Sequence, residues 1–316
     1  HMAGWRLLAA GTLVISVSAF GQKPEPGWIA ERSSGCQIWN PNPQPNESIT
    51  WSGACQNGLA QGQGVLQWFE SDHPKGRYEG EYRDGKENGH GVFTGTRGDR
   101  YDGDRQDGKR NGHGVTTWAD GGRYEGDYRD GKKSGSGLAT WPDGARYEGD
   151  YKDGKKTGLG VYNWPDGGRY EGEWRDDKKN GHGITAWEDG ARYEGDYKDG
   201  IPHGHGAYRW PDGARYEGDY NVGKPNGRGV YTWPDGDRYD GEWRDGKIDG
   251  QGSIVGANGN RYTGGWRVGV PNGQGVAVIN GRTFSGVWVI GCYRSGDALV
   301  SLAVPQSTCT LEKAWL

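Results

Sequence analysis

Apolar and polar residues alternate along this chain in short runs, and the runs return with a fixed period. From Tyr147 to Arg169, Tyr147, Gly149 and Tyr151 alternate with Glu148 and Asp150, the two-residue period of a strand. Lys152-Asp153-Gly154-Lys155-Lys156 reads as a turn, because Asp-Gly reaches positive φ at little cost. A second strand is predicted from Gly158 to Trp164, closed by a turn at Pro165-Asp166-Gly167. Two strands and two turns in one 23-residue unit leave no room for a helix, so the unit is a β-hairpin.

The unit repeats in strict register. An aromatic–acidic–glycine triplet starts at Tyr78, Tyr101, Tyr124, Tyr147, Tyr170, Tyr193, Tyr216 and Tyr239, and Tyr262-Thr263-Gly264 continues it. Such a unit is too short to bury a core alone and must be stabilised by its neighbours. Alternation puts Tyr147, Gly149 and Tyr151 on one face, and Gly158, Gly160, Tyr162 and Trp164 together on the second strand. Regular glycines in strands mark places where a ring lies flat on the backbone. Trp68, Trp118, Trp141, Trp164, Trp187, Trp210 and Trp233 hold one repeat position, and Val92, Val115, Leu138, Val161, Ile184 and Val230 make a thinner apolar row opposite. The pattern leaves open which face meets water.

The array extends past the clear units. Trp51-Ser52-Gly53 aligns with the triplet and opens a degenerate first repeat, followed by a four-residue insertion around Ser71 to Pro74. Phe284-Ser285-Gly286 is a half repeat one residue early, and Arg105 stands where an aromatic belongs. The divisions read as 1–21 leader, 22–50 N-terminal cap, 51–289 array and 290–316 C-terminal cap.

Composition changes the picture in two ways. The 62 glycines, 16 tryptophans and 18 tyrosines, against one methionine and four phenylalanines, rule out an ordinary compact core. Regular aromatic spacing equally argues against disorder. At ~4.8 Å per strand, ten hairpins make a ribbon about 100 Å long. The net charge of −4 is balanced within each repeat, so no basic stripe for nucleic acid builds up and attraction to anionic lipid is weak.

Leu7 to Phe20 is an apolar run after Trp5-Arg6, with Ala19 and Gly21 placed for cleavage, which reads as a secretory signal. A retained anchor is the alternative, and His1 ahead of Met2 reads as a cloning scar. Export favours two local disulfides, Cys36 with Cys55 and Cys292 with Cys309, over zinc held by thiols at opposite ends. They would staple segments that cap the open sheet edges. A periplasmic or secreted location follows.

The run Tyr-Glu-Gly-Asp-Tyr-x-Asp-Gly-Lys-x-x-Gly-x-Gly, repeated with this period from about Trp51 to Val289, resembles the MORN repeat (membrane occupation and recognition nexus). The resemblance implies an all-β, elongated, single-layer twisted antiparallel sheet of about ten hairpins whose aromatic residues form a groove. It also implies a binding or assembly module without shared catalytic residues, and the exported copy is similar to bacterial periplasmic members.

Candidate chemistry is sparse. His90, His113, His182 and His205 share one slot but lie about 10 Å apart between repeats, too far for one metal ion. Only His203 and His205 fall on one strand face. Acidic pairs such as Glu148 with Asp150 and Glu171 with Glu173 suit glycoside hydrolysis, but they recur in most repeats, as a solubility ladder does. No catalytic residue, metal site or cofactor is assigned. The expected working surface is the aromatic row Tyr124, Tyr147, Tyr170, Tyr193 and Tyr216 with Trp141, Trp164, Trp187, Trp210 and Trp233. Its expected occupant is a protein partner or a second copy of the chain. An extended cell-envelope polysaccharide, bound or processed, is the alternative, and a phospholipid surface the third.

Overall fold

The computed structural model describes residues 26–296 and 298–310. The leader expected over 1–21 lies outside them. Strands dominate, and the chain divides into two units at Thr96 and Arg97.

In the first unit Leu59–Glu70 pairs antiparallel with His73–Arg83, which pairs with Lys86–Thr94. The four-residue insertion lengthens the first hairpin, whose turn at Ser71 and Asp72 has both residues at positive φ. Glu47–Trp51 and Ala54–Gln56 both pair with Leu59–Glu70, and Gly27–Ala30 pairs with Gln37–Asn40. Cys36, Ile38, Ile49, Ala60, Leu66, Tyr78 and Tyr82 form its core, and Cys36 is bonded to Cys55. The indole of Trp51 covers Gly53 and Gly64 and donates to the Ala54 carbonyl at 3.0 Å. That is the ring-on-glycine geometry that the tyrosines have in the later repeats.

The second unit is a succession of antiparallel strands from Arg100–Gln106 to Ala298–Ser301, each paired with the next in sequence. Arg146–Lys152 and Lys155–Asn163 represent the regular hairpin. Their turn is narrower than the sequence suggested. Lys152 pairs with Lys155, so the turn is Asp153-Gly154 alone, with φ of 52° and 88°. A two-residue hairpin turn needs both central residues at positive φ, and Asp-Gly meets that need cheaply. The second strand therefore starts at Lys155 rather than Gly158. It ends at Asn163, which leaves Trp164 in the following turn.

The register then shifts by two residues between the Gly149–Gly160 and Asp150–Thr157 pairs. Gly158 and Leu159 are the extra residues of this bulge, and Gly158 takes a φ of 57°. The shift puts Lys156 opposite Tyr151, on the aromatic face. From Gly131 onward the turn tips also bond to the preceding repeat, as when Gly154 N–H donates to the Lys133 carbonyl at 2.9 Å.

The last strands, Cys292–Ser295 and Ala298–Ser301, precede a single helical turn at Gln306–Cys309, which the Cys292–Cys309 disulfide ties back. Tyr293, not Phe284, covers Gly286, so the terminal half repeat borrows its ring from the next strand.

Candidate functional site

The tyrosines of the repeated triplet are the core. Tyr124, Tyr147, Tyr170, Tyr193 and Tyr216 have no exposed surface. Each ring lies over a facing glycine pair; for Tyr147 the pair is Gly149 and Gly160. Each hydroxyl donates to the carbonyl three residues on, as Tyr147 does to Asp150 at 3.2 Å and Tyr170 to Glu173 at 2.9 Å. The expectation that these five rings line an open groove is corrected: flat packing on glycine consumes both the ring face and the hydroxyl.

A second aromatic, four residues later, joins one repeat to the next. Tyr151 meets Tyr147 and Tyr124 edge-on, both at 5.3 Å, and Trp174 meets Tyr170 at 5.2 Å and Tyr147 at 5.4 Å. The chain of T-shaped contacts continues through Tyr197, Tyr220, Trp243 and Trp266 to Trp288. Such contacts contribute about 0.5–1.5 kcal/mol each beyond burial. Burial raises these phenols: Tyr101, Tyr197 and Tyr262 are pushed up to about 12, and the others rise as well.

The tryptophan row is a different surface. Trp118 is 36% and Trp187 41% exposed, and Trp141, Trp164, Trp210 and Trp233 are half-buried. Tyr162, Tyr208 and Tyr231 stand among them, giving a continuous ladder Trp187–Tyr208–Trp210–Tyr231–Trp233 with ring separations of 4.4–5.5 Å. A shallow hollow lined by Tyr231, Trp233, Trp243, Lys247, Ile248 and Val268 continues it.

Cations that the sequence pattern does not place on this face also line it. Lys156 lies over Tyr162 at 4.6 Å, Trp174 at 4.7 Å, Tyr147 at 5.3 Å and Trp141 at 5.6 Å. Lys133 sits among Tyr124, Trp118 and Tyr151, and Lys179 among Trp164, Tyr170 and Tyr197. Arg110 holds the same repeat position over Tyr101 and Tyr128. Burial lowers all three lysines, Lys179 to about 8. A signal was present in the sequence: Pro202, Pro225, Ile248 and Pro271 occupy this position in later repeats, which marks it as facing the rings.

The opposite face carries the acidic ladder. Glu125, Glu148 and Glu171 each pair with the arginine two residues before, at 2.6–2.7 Å, around a hollow with Leu138, Leu159 and Val161. The histidine slot is exposed: His113, His182 and His205 face Asp127, Asp196 and Asp219 at 3.4–3.5 Å. Among the described residues no group of three His, Cys, Asp or Glu is placed to hold a metal ion, and no helix is long and apolar enough to cross a membrane.

The MORN repeat family model matches residues 56–72, then eight consecutive units from 78–100 to 239–261, and finally 262–278. The chain belongs to the MORN-repeat family. No curated protein matches it. Among solved structures it is similar to the TCP domain of Drosophila melanogaster SAS-4, solved with a proline-rich motif of Ana2. The identity is 14% and the TM-score 0.31, over 49% of this chain and 85% of that one. A Staphylococcus aureus virginiamycin B lyase aligns at 10% identity and TM-score 0.14, over 87% of this chain and 77% of that one. A streptogramin B lyase aligns at 12% and 0.15, over 90% and 85%. Scores this low carry no argument about function.

Proposed function

We propose that this chain is an exported, non-catalytic scaffold that holds a protein partner, or a second copy of itself, against its aromatic face. The observation that carries the reading is the division of labour among the rings. The tyrosines complete the interior, yet the tryptophan row stays partly exposed, with Trp187 at 41%. Aromatic side chains in surface rows are what protein interfaces use as anchors. Export is supported by the Cys36–Cys55 and Cys292–Cys309 disulfides together with the apolar run Leu7 to Phe20.

The test compares the full chain with a variant carrying Trp187→Ala, Trp210→Ala and Trp233→Ala. Both are immobilised in an envelope extract of the source cells, and self-association is followed by sedimentation. The reading requires a protein, or a second copy, that the parent retains and the variant loses. Equal retention by both would remove it. One observation favours a second reading: the unbroken ladder from Trp187 to Trp233 also suits stacking of sugar rings. In that case soluble polysaccharide would quench tryptophan emission of the parent and not of the variant.

A further inference from the structure

The lane beside the tryptophans changes chemistry along its length. At one repeat position stand Arg110, Lys133, Lys156 and Lys179, and then Pro202, Pro225, Ile248 and Pro271. All face the rings, so packing alone would accept the apolar residues throughout. Four consecutive repeats carry a cation there instead, at a desolvation cost that lowers Lys179 to about 8.

These cations are held by rings and hydroxyls. Arg110 donates to Thr116 Oγ1 at 3.3 Å and Lys179 to Thr185 Oγ1 at 3.0 Å. Among the described residues no carboxylate is in an ion pair with any of the four; the nearby turn carboxylates are engaged elsewhere, as Asp176 is by Lys155 and Asp199 by Lys178. Among the described residues, Asp177 is the carboxylate whose charge supports Lys133 and Lys156. It stands where the neighbouring turns have Gly154 and Gly200, at a φ of 68°, and accepts the Lys156 backbone N–H at 2.9 Å. The row is thus a line of half-buried positive charge bedded in aromatic surface.

Spacing selects the ligand. Equivalent positions two strands apart recur at about 10 Å. A polyproline II helix presents the same face every three residues, about 9 Å, whereas an extended strand presents one face at multiples of about 7 Å. The polyproline form also arrives with its backbone ordered, and aromatic-lined grooves are its usual receptors. A uniform polysaccharide would find its chemistry matched over only one half of the lane. A polypeptide can match both.

We propose that the lane binds a polyproline II segment of a partner protein, with an acidic side chain at every third residue over Arg110 to Lys179 and apolar residues over Pro202 to Ile248. This rests on the reading of the aromatic face as a protein-binding surface. The segment's carboxylates meet the cations one per repeat, and its rings or prolines lie against the tryptophans.

The test uses a fluorescein-labelled peptide of four Glu-Pro-Pro triplets followed by Leu-Pro-Pro triplets. A second peptide of the same composition has its glutamates contiguous at one end. Polarisation is read against the full chain, against K133M/K156M/K179M and against D177G, with near-UV circular dichroism confirming that each variant is folded. The spaced peptide should bind more tightly than the blocked one and weaken as salt rises. The triple variant should bind it about tenfold more weakly, the sum of three partly exposed ion pairs. D177G should bind it more tightly, since it removes the competing carboxylate. Equal affinity for the two peptides, or an unchanged triple variant, overturns the proposal. So does binding of phosphatidylserine vesicles that needs the three lysines when neither peptide binds. If neither peptide binds while a protein is still captured through the tryptophan row, this assignment falls and the scaffold reading stands.

Discussion

The ring of Tyr147 lies flat over Gly160 on the neighbouring strand, so that a Cβ on Gly160 would stand 2.6 Å from ring carbon Cε2. No side chain of any size fits there without lifting the tyrosine off the sheet. Gly160→Ala should therefore destabilise by about 1–3 kcal/mol, the usual cost of overpacking. Its φ is not in the left-handed region, so the effect is steric. Tyr147→Phe removes only the hydrogen bond to Asp150 and should cost about 1 kcal/mol. Urea unfolding followed by tryptophan emission measures both; a Gly160→Ala midpoint equal to that of the parent would remove the ring-on-glycine account of the core.

Val222 occupies a turn position that Asp153 and Asp199 hold in other repeats, at a φ of 47°. A branched side chain pays about 1–2 kcal/mol in that region, where Asn and Gly do not. Val222 is also 68% exposed, so replacing it forfeits little burial. Val222→Asn should raise the unfolding midpoint by the equivalent of about 1 kcal/mol. A lowered midpoint would mean that its contact surface outweighs the backbone cost.

The buried phenols set an upper pH limit. Tyr101, Tyr197 and Tyr262 titrate near 12 in the fold against 10 when unfolded, so the folded state holds its protons longer. Their contribution is complete below pH 10 and is lost as pH rises towards 12. Tyrosinate absorbance should therefore appear together with unfolding, in one transition. Ionisation of most tyrosines well before loss of the near-UV dichroism would contradict the burial described above.

Lys179 acts in the other direction. Its folded value of about 8 lies below the ordinary 10.5, so between these values the unfolded chain binds more protons and stability rises with pH. Lys179→Met should be more stable than the parent at neutral pH and should lack that rise. Identical pH profiles for the two proteins would show that the lysine is fully solvated.

Much of this fold is readable from the chain because glycine, tyrosine and acidic residues each have one place in a two-residue period. The flat ring on glycine follows from that pattern, and the link of Cys292 to Cys309 from the expectation of export. The faces of Lys133, Lys156 and Lys179 do not follow. Lys155-Lys156-Thr157 shows no alternation, and the two extra residues at Gly158 and Leu159 shift the register by an amount that only the paired strands reveal. Burial of the five tyrosines was likewise hidden, since a period of two assigns each ring to a face and says nothing of which face is covered.

In the proposed scaffold the aromatic face, and not the acidic one, meets the partner. A photo-reactive phenylalanine analogue placed at Trp187, and separately at Leu159 on the opposite face, tests it directly in an envelope extract. Illumination should join a protein, or a second copy of the chain, to the position-187 variant and leave the position-159 variant free. Adducts at position 159 with none at position 187 would contradict the account.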